Sequence, residues 1–184
     1  MSAIIDIGTM LNNLQASFSS LQTFVVAFSY VAGIAFMVKA LLKARELGNH
    51  NPSSPQQGGF REPIVHALIG ATLVYLPSSV NIGLSTIFAS TSLGSASDLL
   101  SYIPAADNQT WTQIESVLVD YLKLLGLIAF IRGWFMLAKL GEGGGQQDSF
   151  SKGIIHVIGG ILLINIVDSI KILASTFGFV GFSH

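Results

Sequence analysis

The chain has 184 residues, of which 51% are hydrophobic and only 10% charged, and its formal net charge at pH 7 is -1. Soluble domains carry about 25% charged residues, so this composition indicates a membrane protein. The small net charge argues against a nucleic-acid binder. The absence of cysteine excludes disulfides, thiolate metal clusters and a cysteine nucleophile.

Residues 1–22 predict an amphipathic helix, because apolar residues recur at alternating spacings of three and four with polar residues between them. The apolar positions are Ile4, Ile7, Leu11, Leu14, Phe18 and Leu21. The segment lacks the basic start of a secretory signal, so we expect it to be retained. Such a helix either lies in the membrane interface, extends the first span or docks onto a partner helix.

Four further apolar segments are candidates for membrane spans, which need about 20 residues to cross about 30 Å of hydrocarbon. They cover about residues 23–42, 63–76, 117–140 and 153–172. Pro77 is expected to break or kink the second segment and to leave residues 78–90 as a re-entrant or tilted tail. The predicted fold is an all-α integral membrane protein with four transmembrane helices in two tandem hairpins.

The two halves of the chain share a pattern of residues at an offset of 90, which is the separation of His66 and His156. The first half has Gln56-Gln57, Phe60, Ile64, His66, Gly70, Ser79 and Ser85-Thr86, and the second has Gln146-Gln147, Phe150, Ile154, His156, Gly160, Ser169 and Ser175-Thr176. Upstream, Ile34-Ala35-Phe36 matches Ile128-Ala129-Phe130 at an offset four residues larger. We therefore expect a first hairpin over 23–90, an external loop over 91–113 and a second hairpin over 114–184, as parallel repeats.

The basic residues predict the orientation of these hairpins. Most of them flank the two loops within the hairpins: Lys39, Lys43, Arg45, Arg61, Arg132, Lys139 and Lys152. Cytoplasmic loops are enriched in Lys and Arg, so both hairpin loops should be cytoplasmic and both termini external.

Four ionisable residues near the outer ends of the third and fourth spans are candidate functional residues, because charge inside a membrane is costly. Asp120 and Lys123 are three residues apart, and so are Asp168 and Lys171, which allows an ion pair within each helix. The two pairs could cross-link the two spans or line a polar opening between them. In either case they would form a polar seam, which serves a pore or a contact between subunits. Alternatively, these side chains snorkel to the interface.

His66 and His156 occupy equivalent positions one turn inside the second and fourth spans. Each is expected either to form a hydrogen bond to the neighbouring helix or to take part in a proton relay. Two histidines are too few for a closed zinc site, so no metal is expected. Arg132 is expected to snorkel, with Trp134 beside it as an interfacial anchor.

Small residues on the spans predict close contacts between helices. They are Ser29, Gly33, Ala67, Ala71, Gly159 and Gly160. The glycine-rich loop at 141–145 is not followed by the Lys-Ser or Lys-Thr of a phosphate-binding loop. The sequence therefore offers no catalytic site and no cofactor site.

One pattern of residues in the second hairpin carries a family resemblance. It consists of Phe130-Ile131-Arg132-Gly133-Trp134, Gln146-Gln147, Phe150, Lys152, Gly153, His156 and Gly159-Gly160-Ile161-Leu162. In this pattern, over about residues 124–169, the chain resembles the DotE/IcmC-type inner-membrane components of Dot/Icm type IVB secretion systems. Relatives of these proteins belong to conjugative transfer systems of the IncI plasmid kind.

The resemblance implies membership of an envelope machine that moves protein or DNA out of a Gram-negative cell, and it carries no catalytic residue over to this chain. The leading hypothesis is a non-enzymatic structural subunit in the bacterial inner membrane. Its partners would be lipids and other secretion-system membrane proteins, in a homo- or hetero-oligomer without direct nucleic-acid binding. The alternative is a small oligomeric channel or transporter.

Overall fold

The computed structural model describes residues 7–48, 59–88, 109–140 and 147–178. Within these ranges the chain forms six helices and no strand: α1 (Ile7–Gly48), α2 (Arg61–Val74), α3 (Leu76–Phe88), α4 (Gln109–Ala138), α5 (Gln147–Ile164) and α6 (Ile166–Thr176). The all-α prediction is confirmed. Residues 49–58 and 141–146 of the two predicted cytoplasmic loops and residues 91–108 of the predicted external loop lie outside the described residues.

The amphipathic segment and the first predicted span form one helix, because α1 runs without a break for 42 residues. At 1.5 Å per residue this is about 63 Å, roughly twice the thickness of the hydrocarbon core. Of the three alternatives, the amphipathic segment therefore extends the first span. Part of its apolar face also docks onto α4, where the rings of Phe18 and Tyr121 lie 5.6 Å apart.

The number of membrane-crossing helices is smaller than the predicted four when length and composition alone are considered. α1 qualifies by itself, and α2 with α3 and α5 with α6 qualify only if each bent pair counts as one span, which gives up to three. The predicted third span, in α4, is not among them. The apolar length of α1 supports membrane association.

The first bend lies where Pro77 was expected to interrupt the helix, with an angle of 94° between α2 and α3. Proline has no N–H, so the carbonyl of Leu73 loses its usual donor. The Ser29 hydroxyl of α1 donates to this carbonyl at 3.2 Å, and the Ser79 hydroxyl donates to the carbonyl of Thr72 at 3.0 Å. Side chains thus satisfy the carbonyl groups that the bend exposes.

The second bend differs from the prediction of a continuous fourth span over 153–172. α5 ends at Ile164, and α6 leaves it at 97° although no proline is present. The Ser169 hydroxyl donates to the carbonyl of Leu162 at 2.7 Å, which repeats the Ser79 bond 90 residues earlier. Asn165 at the bend is buried, and its side-chain amide donates to Asp168 at 2.8 Å. Local hydrogen bonds hold this bend without proline.

Two antiparallel helix pairs, α1 with α2 and α4 with α5, make the most extensive contacts of the fold. Their backbones touch at glycines: a Cβ atom at Gly33 would lie 2.8 Å from the Gly70 carbonyl oxygen, and one at Gly126 would lie 2.7 Å from that of Gly160. Gly33 thus corresponds to Gly126 at an offset of 93 residues, whereas the sequence matched Ile34-Ala35-Phe36 with Ile128-Ala129-Phe130 at an offset of 94. In lipid, close packing replaces the hydrophobic effect as the main force between helices.

α1 and α4 run side by side in the same direction. The contacts of α1 proceed in order along α4, from Phe18 with Tyr121 to Phe36 with Phe135, where the ring centroids lie 5.5 Å apart. The buried core lies between the two helix pairs. Its largest members include Ile69, Leu73, Leu76, Leu84, Phe130, Ile131, Ile161 and Ile164.

Gly159 and Gly160 provide a direct test of this packing. Gly160→Ala should lower the free energy of unfolding by about 1 to 3 kcal/mol, because its methyl group would meet the backbone of α4 at Gly126 and Phe130. Gly159→Ala is the matched control, since a Cβ there has no atom within 4 Å. Thermal unfolding in detergent measures both, and equal effects of the two substitutions would contradict the packing.

Candidate functional site

The first predicted charged pair lies on α4. Lys123 Nζ is 3.8 Å from Asp120 Oδ1, and the two side chains are 23% and 28% exposed. Gln15 of α1 donates from Nε2 to Asp120 Oδ2 at 3.1 Å. The ion pair therefore forms within α4. The hydrogen bond from the Gln15 side-chain amide connects Asp120 to α1.

The second predicted charged pair lies on the first turns of α6. Lys171 Nζ is 3.6 Å from Asp168 Oδ1, and both side chains are 26% exposed. Asp168 also accepts the hydrogen bond from Asn165, and its negative charge lies near the N-terminus of α6, where the helix dipole favours it. Asp168 therefore supports the start of the bent helix.

The two pairs form no ion pair with each other among the residues that the structure describes, so the predicted cross-link between the third and fourth spans is not present there. Lys123 instead lines a crevice of about 290 Å³ between the two halves of the protein. The other lining residues are Gln22, Val26, Leu76, Pro77, Val80, Asn81, Leu127 and Ile164. Three polar side chains thus reach an otherwise apolar opening.

Both histidines form a hydrogen bond within their own helix. His66 Nδ1 lies 2.8 Å from the carbonyl oxygen of Glu62, and His156 Nδ1 lies 2.7 Å from that of Lys152. A carbonyl oxygen can only accept, so the proton must be on Nδ1 in each ring. The described residues contain no group of three or more His, Asp or Glu side chains that could hold a metal.

The predicted membrane anchors lie in different environments. Arg132 is exposed and borders a small apolar groove against Val25 and Phe28 of α1. Trp134 packs against the core, and its ring meets that of Phe130 edge-on at 6.1 Å. Its Nε1 is buried and has no acceptor among the described residues. Trp134 is thus partly buried, and its role as an interfacial anchor stays a prediction.

The glycines of the predicted signature also lie in different environments. Gly133 is buried, and a Cβ atom there would lie 2.8 Å from the carbonyl oxygen of Gly153. Gly160 makes the equivalent contact with Gly126, whereas Gly159 is exposed and makes none within the described ranges. Only one of the two adjacent glycines therefore belongs to the helix contact.

An ion pair between the ends of α1 and α2 was not anticipated. Lys43 Nζ lies 3.2 Å from Glu46 and 3.6 Å from Glu62. The hydrogen bond to Glu46 and the negative charge of Glu62 raise the pKa of Lys43. The opposite charges at the two ends of one hairpin loop were the signal in the sequence.

Glu115 at the start of α4 was not singled out either. Its Oε2 atom is buried without a hydrogen-bond partner among the described residues, and burial raises the pKa of its carboxyl group. Ionisation of Glu115 is therefore less favourable in the folded chain than in water.

No protein-family model, curated protein or solved structure matches this chain. The family resemblance accordingly depends on the residue pattern alone.

The charged pair on α6 yields a prediction that separates snorkelling from burial. Asp168→Asn should lower stability by about 1 kcal/mol, since it removes one ion pair and a favourable charge at a helix N-terminus. Lys171 keeps partial exposure, so adding Lys171→Gln should recover little of the loss. Thermal unfolding of both variants measures this, with exposed Glu46→Gln as the control. Recovery of most of the loss would show that the pair is desolvated.

Proposed function

We propose that this chain is a non-enzymatic structural subunit of a bacterial inner-membrane secretion or conjugation apparatus of the type IVB kind. One observation carries the proposal. Part of the pattern that resembles the family is buried where α4 and α5 meet. Its buried members are Phe130, Ile131, Gly133, Gly153, Gly160 and Ile161, whereas Arg132, Phe150, Lys152, Gly159 and Leu162 are exposed.

These shared positions hold two helices together and do not assemble reactive groups. Gly133 fits against the backbone of Gly153, and Gly160 against that of Gly126, at distances that leave no room for a side chain. His156 directs its Nδ1 proton to the carbonyl of Lys152 in its own helix. A pattern of this kind supports a role in packing and assembly.

In the proposed topology the chain has four membrane-embedded segments, with both hairpin loops in the cytoplasm and both termini outside. The Lys43–Glu62 ion pair then lies at the cytoplasmic ends of α1 and α2. The bends at Tyr75 and Asn165 lie toward the outer side. Two hairpins in one orientation agree with the parallel course of α1 and α4.

Large apolar side chains cover the outside of these helices. Val31 and Leu41 of α1 and Leu68 of α2 are each at least 60% exposed. Such residues suit contact with lipid tails and with the spans of neighbouring subunits. The proposed partners are therefore membrane lipids, other membrane proteins of the apparatus and further copies of the chain.

A small channel or transporter is the second candidate, and the crevice beside Lys123 favours it. Gln22, Asn81 and Lys123 bring polar groups to an opening between the two halves. In this alternative, the charged pairs Asp120–Lys123 and Asp168–Lys171 border the conducting path.

Purification from the native membrane separates the two candidates. A tagged chain, extracted in mild detergent, should co-purify with other membrane proteins of the apparatus, and the isolated chain in vesicles should conduct no ions. Lys123→Gln is the control for conduction, because it removes the cation from the crevice while leaving the α4–α5 contact intact. A lone chain whose ion flux falls with Lys123→Gln would contradict the structural role and support the channel.

A further inference from the structure

α2 and α5 are too short to cross an ordinary bilayer. Their apolar parts, Pro63 to Val74 and Gly153 to Ile164, each contain twelve residues. At 1.5 Å per residue they reach about 18 Å, whereas the hydrocarbon core is about 30 Å thick. In both copies of the repeat, the second helix falls short of the hydrocarbon thickness by the same length.

α1 gives an independent measure of the same depth. Its Lys43 pairs with Glu62 at the start of α2, and its Ser29 donates to the carbonyl of Leu73 at the end of α2. The fourteen helical steps from Ser29 to Lys43 span about 21 Å. The first bend therefore lies about 20 Å from the charged end of the hairpin.

α3 and α6 add little to this depth, because they leave their preceding helices at 94° and 97°. Hydrogen bonds fix both angles at equivalent positions, through Ser79 in the first repeat and Ser169 in the second. We call α3 and α6 the arms. If α2 and α5 run along the membrane normal, both arms run parallel to the membrane plane.

Both arms carry apolar and polar side chains, as helices in a membrane interface do, although only the second arm has charged residues. The first arm exposes Ile82 and also carries Asn81. The second arm exposes Ile172 and Leu173 and carries the Asp168–Lys171 ion pair. Each arm thus offers apolar side chains to lipid tails and polar groups to headgroups.

The Asp120–Lys123 pair of α4 lies outward of the same level. Gly126, one turn further along α4, contacts the backbone of Gly160 and of Ile164, where α5 ends. Lys123 and Asp120 lie three and six residues outward of Gly126, about 4.5 Å and 9 Å from that level, whereas Asp168 and Lys171 follow the second bend directly. In a bilayer of ordinary thickness the Asp168–Lys171 pair would be about 10 Å inside the hydrocarbon, where ionisable groups are strongly disfavoured.

We propose that the two arms lie in the outer membrane–water interface and that the bilayer around them is thinned to about 20 Å of hydrocarbon. Each ångström of thinning has a modest cost, whereas an ionisable group held inside the hydrocarbon is strongly disfavoured. We therefore expect the bilayer to adapt to the protein. The inference rests on the membrane placement proposed above. Beyond that placement, the two arms bind the headgroup region of the outer leaflet and deform the membrane locally.

Spin labels can test the depth of the arms directly, since the chain has no cysteine and single cysteines can be introduced at will. Ser85→Cys and Ser175→Cys put one label on each arm, at exposed polar residues that occupy equivalent positions in the two repeats. Leu68→Cys, at a 60% exposed site on α2, is the control inside the hydrocarbon.

In phosphatidylcholine vesicles, collision with a water-soluble relaxation agent should be several-fold more frequent at positions 85 and 175 than at 68. If labels on the arms are as protected as the label at 68, the arms lie inside the hydrocarbon and the inference is overturned. If the label at 68 is also open to the agent, the membrane placement itself fails.

Bilayer thickness provides the second measurement. The Tm of the full chain should fall steadily as the acyl chains of the vesicles are lengthened, because longer lipids resist thinning. A Tm that stays constant or rises with chain length would overturn the thinned bilayer.

Discussion

Backbone contact at glycines is the constraint on which the rest of the structure depends. Lipid tails compete with apolar side chains for the same contacts, so the helices need surfaces that approach more closely than lipid can. Gly33 with Gly70 and Gly126 with Gly160 provide such surfaces. The first of these contacts also brings Ser29 within hydrogen-bonding distance of the carbonyl that Pro77 leaves without a donor.

The two repeats reach the same bent geometry by different chemistry. The first relies on Pro77 and a serine from the neighbouring helix, whereas the second uses Asn165 and Asp168 around a helix break without proline. Ser79 and Ser169 make the same bond in both. The second repeat thereby acquired charge at the level of its bend, which supports the proposed place of the arms at the membrane surface.

The sequence predicted features that depend on residues close along the chain. Helix class, the break before Pro77 and the ion pairs at Asp120 and Asp168 all follow from spacing within one helix. Features that depend on which helix face meets a neighbour were missed, because a segment that is apolar on all sides does not show which of its faces makes the contact. The contact of Trp134 with the core is one such feature. Gly160, and not Gly159, lies in the contact.

The bend at Asn165 was missed because no strong helix breaker marks it, although the repeat of Ser79 at Ser169 carried the information. The histidines illustrate a related difficulty. A polar side chain in a membrane helix has two sources of acceptors, its own preceding turn and the adjacent helix. In this chain the preceding turn supplies the acceptor for His156.

The central claim is that two equivalent bent units lie side by side in the membrane with the same orientation. Single cysteines, Gln56→Cys, Gln146→Cys and Ser95→Cys, test it when intact cells are treated with a membrane-impermeant maleimide. The account predicts labelling at position 95 only, and labelling at 56 and 146 only after the inner membrane is opened. Labelling of position 146 but not 56 in intact cells would contradict it, because the two units would then face opposite sides.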